Sequence, residues 1–372
     1  MAVARPVVDR GTMQPRGTVE PRFDRVREVF AELLDSGQET GAGLSVWFEG
    51  RRVVDLHGGW ADTARTRPWQ SDTLVHTFSV SKPFAALATL VVLARNDIAL
   101  DTPVADLWPD YAAAGKAATT LRQVLSHQAG QPTFPATTAG LFDDEELRAA
   151  LAAAPPEWEP GTAIAEHALT YGHLLDGVVR AVTGRSLGAV WRDDVAGPLR
   201  MDAHFGVPES GLARVADLEP AAPESWRFGS DGNPVDRALS VPSDAREVWV
   251  LNSERWRRAE FPAIGLHARA DALARFFADL PSPDGPVAAL LGRELHKEFL
   301  APQVSGRDLF LGYDLTWTLG LQRSDTEIAM GGLGGCVAWV SLRHGYSCAY
   351  LTRYLSGPHR MMALEEAIES AF

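Results

Sequence analysis

Ser79-Val80-Ser81-Lys82 sets a hydroxyl and an amine three residues apart at the start of an apolar segment. On a helix, residues at that spacing share one face with Cβ atoms about 5–6 Å apart, which puts a potential nucleophile beside a potential base. The base has to be lysine, because a buried lysine can give up its proton and an arginine cannot. In this chain the choice is conspicuous: lysine occurs only at Lys82, Lys116 and Lys297, and every other basic residue is arginine. The simpler reading of a bare Ser-x-x-Lys is a surface pair at a helix start, so the surroundings have to decide.

The surroundings point to burial. Phe84 to Ala94 is apolar on every face, the mark of a helix enclosed within a domain. Pro83 has no N–H and is tolerated only in a first turn, so the helix is expected to begin near Ser79 or just after it. Ser79 would then lie at the positive end of the helix dipole, where backbone N–H groups stabilise a developing oxyanion. Burial and the same positive potential would lower the pKa of Lys82 and free its lone pair.

The 372 residues can bury a large core, and at 46% hydrophobic and 22% charged the composition is that of a globular protein. No apolar run reaches the roughly 18 residues that a membrane-spanning helix needs. Met1 to Arg22 is rich in Arg and Pro without an apolar stretch, which reads as a flexible N-terminal arm over 1–22 rather than a secretory signal. Cys336 and Cys348 are the only cysteines and suit a reducing compartment. A net charge of −13 disfavours nucleic acid and anionic membranes as partners. A cytoplasmic protein is expected. His267, His344 and His359 are scattered without ligand spacing, so no metal site is indicated, and no cofactor is expected.

Along the chain, Phe23 to Leu34 has helical spacing, and Leu44–Phe48 with Val53–Leu56 reads as a hairpin about Glu49-Gly50-Arg51-Arg52. Helical segments follow at 121–127, 143–153 and 169–183, whereas 219–252 is rich in Pro, Ser and Gly and offers little pattern. A helix is expected over 267–280, short strands at 315–319, 336–340 and 347–351, and a closing helix over 360–371. The charge runs at 143–146 and 254–258 read as solvated helix faces. Strands at both ends with helices between them predict an α+β fold, an α/β sandwich whose antiparallel sheet is formed by both chain ends. The expected division is 23–98 plus 235–372 for the sheet domain and 99–234 for a mostly helical one.

With Ser-x-x-Lys after the first hairpin, this organisation resembles the serine β-lactamase and penicillin-binding-protein superfamily, most nearly the class C β-lactamase-related esterases and transesterases. The resemblance runs from about Phe23 to the last strands and rests on Gly58-Gly59, Thr77–Lys82, Leu125–Gly130, Trp158-Glu159-Pro160-Gly161, Thr183–Leu187 and Gly197-Pro198-Leu199. It implies a β-lactamase/transpeptidase-like fold, Ser79 as nucleophile, Lys82 as base, and the N–H groups of Ser79 and Leu333 as oxyanion hole. His127 would be structural and Tyr171 would pack.

Two of the superfamily's boxes are altered. Where its catalytic tyrosine belongs, the chain reads Glu166-His167-Ala168. Where a Lys or His begins the third box, it reads Met330-Gly331-Gly332, with the glycines kept so that backbone can approach substrate closely. A phenol has become an anion and a cation a thioether, so the pocket should disfavour a substrate carboxylate, and penicillin hydrolysis is not expected. Three arrangements stay open: Glu166 as base with Lys82 orienting it electrostatically, Lys82 acting alone with Glu166 turned to solvent, or catalysis lost. His167, Met330, Gly331, Gly332, Trp158 and Trp317 are candidates for lining the substrate pocket.

The expected function is acyl transfer through a Ser79 acyl-enzyme, with a small neutral or cationic ester or amide as substrate. Water, an alcohol or an amine would be the acceptor. The alternative is a β-lactamase-fold binding protein that has lost catalysis.

Overall fold

The computed structural model describes residues 14–221 and 234–372. Among them nine strands make one antiparallel sheet. Its spatial order is Arg16–Val19, Arg51–Gly59, Gly41–Phe48, Tyr346–Thr352, Val337–Ser341, Glu327–Gly331, Gln322–Arg323, Asp314–Trp317 and Val304–Arg307. The two ends of the chain meet at its centre, where Gly41–Phe48 pairs with Tyr346–Thr352 and Leu44 stands opposite Tyr350.

Helices cover both faces because the central strands are apolar on both. The helices Asp24–Asp35 and His359–Glu369 close one face, with Val26, Phe30 and Leu33 at helical spacing against Val46, Val54 and Tyr350. On the other face lie Ala270–Asp279 and the helix Lys82–Arg95, which is buried continuously from Lys82 to Leu93. By length and composition Phe78–Arg95 could cross a bilayer, but 83% of it is buried inside the protein, so it serves as the central core helix. The helices Leu121–Leu125, Asp144–Ala153 and Thr170–Thr183 pack beyond it. One core runs through both expected units, from Phe84 and Phe276 to Leu147 and Leu175, so the sheet and helical parts are not separated by packing.

Three expectations need correction. Residues 1–13 lie outside the described part, but the rest of the expected arm is ordered: Arg16–Val19 is the edge strand paired to Val54–His57. The helix expected from His267 begins only at Ala270, because His267–Ala268 pairs with both Val75–His76 and Ala203–His204 in a small three-stranded sheet. The patternless stretch 219–252, outside residues 222–233, contains the short helices Pro234–Ala238, Ser243–Arg246 and Val248–Leu251.

Candidate active site

The chain reaches Ser79 through a constrained turn. The Thr77 N–H donates to Leu266 O at 2.9 Å, the Leu266 N–H donates to Ser81 Oγ at 2.9 Å, and a 3-10 turn Phe78–Ser81 leads into the helix at Lys82. Phe78 has φ of +51°, a conformation costly for a bulky residue and tolerated only because both flanks are tied down. The turn sets Ser79 at the cleft floor while Phe78, Val80 and Ser81 are buried.

Lys82 Nζ lies 2.7 Å from Ser79 Oγ and is completely buried. It also donates to Ala168 O at 3.1 Å and to Ala263 O at 3.4 Å. Three acceptors exhaust an ammonium's three protons. Glu166 Oε1, 2.9 Å away, is a fourth neighbour held by charge, and it has no aligned hydrogen bond of its own. Burial lowers the Lys82 pKa from its ordinary 10.5, and the Glu166 carboxylate opposes that shift. Glu166 is only 4% exposed, which removes the arrangement in which it turns to solvent.

The segment carrying Glu166 is clamped by its histidine. His167 Nε2 accepts from the Gln131 N–H at 3.2 Å, and its Nδ1 lies 2.8 Å from Ala165 O, so the proton sits on Nδ1. The His167 N–H in turn donates to His127 Nδ1 at 3.1 Å. Burial pushes the His167 pKa down to about 4 and that of His127 well below its ordinary value, so both rings are neutral props. His127 is structural as expected, and Tyr171 packs against it while donating to Leu125 O.

The end of the strand Glu327–Gly331 closes the other side. A Cβ on Gly332 would stand 2.3 Å from Thr77 O and 3.4 Å from Ser79 N, so only glycine allows this approach. Among the described residues neither the Ser79 nor the Leu333 N–H has a hydrogen-bond acceptor, and both residues line the cleft.

The cleft has a volume of about 250 Å³. It brings together Ser79, Glu166, Gly331, Gly332 and Leu333 above the buried Lys82. Four of the expected lining residues are placed elsewhere. His167 is the buried clamp just described. Met330 is fully buried against Ile164 and Trp317 and does not line the cleft. Trp317 is buried and donates from Nε1 to Asp308 Oδ2 at 3.0 Å. Trp158 lines a separate groove that meets the cleft at Phe310. Sequence reasoning missed Arg246, Phe310, Tyr313 and Gln322, which line the cleft from segments without a recognisable motif. Arg246 is ion-paired to Asp236 at 2.7 Å. Among the described residues no group of three or more His, Cys, Asp or Glu is placed to hold a metal ion.

A model of the beta-lactamase family matches residues 26–371. The Esterase/beta-lactamase LipL of Mycobacterium tuberculosis is 38% identical over 368 residues, spanning 92% of this chain and 83% of that protein. A penicillin-binding protein homologue from Caulobacter crescentus has a similar structure, with a TM-score of 0.85 and 36% identity over 96% of this chain and 100% of the other. A family VIII carboxylesterase matches with a TM-score of 0.83 and 30% identity, again over 96% and 100%. The chain belongs to the beta-lactamase family, as a serine hydrolase of its esterase-like branch.

Proposed function

We propose that the protein hydrolyses a small neutral or cationic ester through an acyl-enzyme on Ser79. The observation that carries this reading is the 2.7 Å contact between Ser79 Oγ and a wholly buried lysine. An inert scaffold gains nothing from such a lysine, since burying an ammonium is costly. Ser79 Oγ attacks the carbonyl carbon as its proton passes to the Lys82–Glu166 pair. The N–H groups of Ser79 and Leu333 receive the oxyanion, and water completes the turnover. An alcohol or amine acceptor would convert the same acyl-enzyme into a transacylase.

The substrate class follows from charge. Met330 takes the place of the cation that would meet a substrate carboxylate, and it is withdrawn into the core. Glu166 presents an anion to the cleft, and the nearby Arg246 is neutralised by Asp236. Penicillins, which carry a carboxylate, are therefore disfavoured relative to neutral esters. The esterase names of the relatives support the same choice. The test is a fluorophosphonate probe followed by intact-mass measurement. One adduct is expected on the wild type and none on Ser79→Ala; an unlabelled, folded wild type would mean that the scaffold no longer catalyses.

A further inference from the structure

Ester cleavage needs a proton for the departing alkoxide, and the cleft offers few sources. Lys82 lies beneath Ser79 with its protons directed to Ser79 Oγ and two backbone carbonyls, so the proton that the Lys82–Glu166 pair takes from Ser79 is placed to return to Ser79 Oγ and not to a group leaving into the cleft. Arg246 cannot release a proton, and Gln322 is not an acid. Of the remaining polar groups on the cleft wall, Glu166 is engaged with Lys82 and Tyr313 is not.

Tyr313 stands on a loop that is fixed in place, though the residue itself is 53% exposed. The Asp308 carboxylate accepts from the N–H groups of Phe310 and Leu311, each at 2.9 Å, and from Trp317 Nε1. Asp308 N–H donates to Tyr313 O at 3.0 Å, and the Gly312 N–H returns to Asp308 O at 2.8 Å. The loop is joined to the Glu166 segment by the Leu309 N–H, which donates to Ile164 O at 2.8 Å. Among the described residues the Tyr313 hydroxyl has no hydrogen-bond partner. Partial burial and the charges of Glu166 and Asp308 raise its pKa, so the phenol is protonated at neutral pH.

We propose that Tyr313 is a catalytic residue, the general acid that protonates the leaving alkoxide, supplied from the loop before the strand Asp314–Trp317 in place of a phenol at position 166. The inference rests on the ester-hydrolase reading. In acylation the bond from Ser79 Oγ to the acyl carbon forms and the Oγ proton goes to the Lys82–Glu166 pair. The acyl–alkoxy bond breaks and the Tyr313 proton moves to the alkoxide, leaving a phenolate. In deacylation water gives a proton to that phenolate as its oxygen attacks the acyl carbon. Ser79 Oγ then leaves and recovers its proton from the Lys82–Glu166 pair, so both residues are restored.

The test uses Tyr313→Phe with two esters of one acid. Ethoxide needs a proton to leave, whereas 4-nitrophenolate does not, and kcat/KM reports acylation for both. The expected loss in kcat/KM is about 10²-fold on the ethyl ester, shrinking to about threefold or less on the 4-nitrophenyl ester. Equal losses on both esters would make Tyr313 a binding residue, and full activity on the ethyl ester would make it a bystander; either result overturns the proposal. Failure of the underlying reading is separate, since Ser79→Ala would then retain activity on both esters.

Discussion

Two lysines in this protein are entirely buried, and they sit at opposite ends of helices. Lys82 opens the helix Lys82–Arg95, where the dipole is positive and an ammonium is disfavoured. Lys116 closes the helix Asp144–Ala153, donating to Ala152 O at 3.0 Å, to Ala154 O and to Ala113 O at 2.8 Å. Those include carbonyls that a helix end leaves without partners, and the negative end of the dipole welcomes the charge. Burial lowers the pKa of both lysines, but only Lys82 has a hydroxyl and a carboxylate with which to exchange a proton. The same side chain is a fixed cation at one helix end and a proton carrier at the other.

The comparison breaks most sharply at the nucleophile. Ser79→Ala should lower kcat by about 10⁴-fold or more while Tm stays within a degree or so of wild type, because the lost hydroxyl is small and Lys82 keeps its other partners. Lys82→Ala should be as inactive and also less stable, by about 3 kcal/mol, because Glu166 is left as an unpaired buried charge. The two residues act as a unit, so the double variant should be no slower than either single one. Appreciable turnover by Ser79→Ala on a neutral ester would end the mechanism.

Glu166→Gln comes next, since it removes the charge and keeps the shape. With Glu166 as general base, kcat should fall by about 10²-fold. With Glu166 holding a cationic part of the substrate, KM should rise and kcat should hardly move. Steady-state kinetics on a neutral and an amine-bearing ester separate the two outcomes. Wild-type constants on both would show that the carboxylate has no part in the reaction despite its 2.9 Å contact with Lys82.

What the sequence made legible was local chemistry on regular elements. The apolar run after Pro83, the Ser-x-x-Lys spacing and the hairpin near the N-terminus each depend on neighbours in sequence, and all three stand in the structure. The position of Glu166 was legible too, through the segment that surrounds it. What could not be read was the face that each side chain presents. Met330 and Gly332 are two residues apart, yet one fills the core and the other meets the nucleophile turn, because the strand ends at Gly331 and the chain bends there. His167 neighbours Glu166 but turns to Gln131, a contact set by a loop 36 residues away. Tyr313 carried no signal at all, since only the bracing by Asp308 and Ile164 brings its loop to the cleft.

Lys116 should show the converse of Lys82. Lys116→Met keeps the length and apolar bulk but leaves buried carbonyls without a donor, at a cost of about 3 kcal/mol. Thermal unfolding should show Tm lower by several degrees, while kcat/KM of the folded variant matches wild type. A fall in kcat/KM with unchanged Tm would contradict the division between the two lysines.

The smallest expected effect is also the most discriminating, because it reads the Lys82 environment in the working enzyme. If the free amine of Lys82 is the base, kcat/KM falls at low pH along a limb set by its pKa in the free enzyme. Burial places that pKa below the ordinary 10.5, while the Glu166 carboxylate favours the ammonium and holds it up. Removing the carboxylate leaves burial unopposed, so in Glu166→Gln the limb should move to lower pH. If Glu166 is the base, the limb belongs to the carboxylate and should disappear along with most of the rate. Profiles of kcat/KM against pH for the two proteins decide between these, provided both remain folded across the range. A limb that stays in place, or moves to higher pH, would mean that the carboxylate does not set the protonation of Lys82. The contrast with Lys116 would then rest on the helix ends alone.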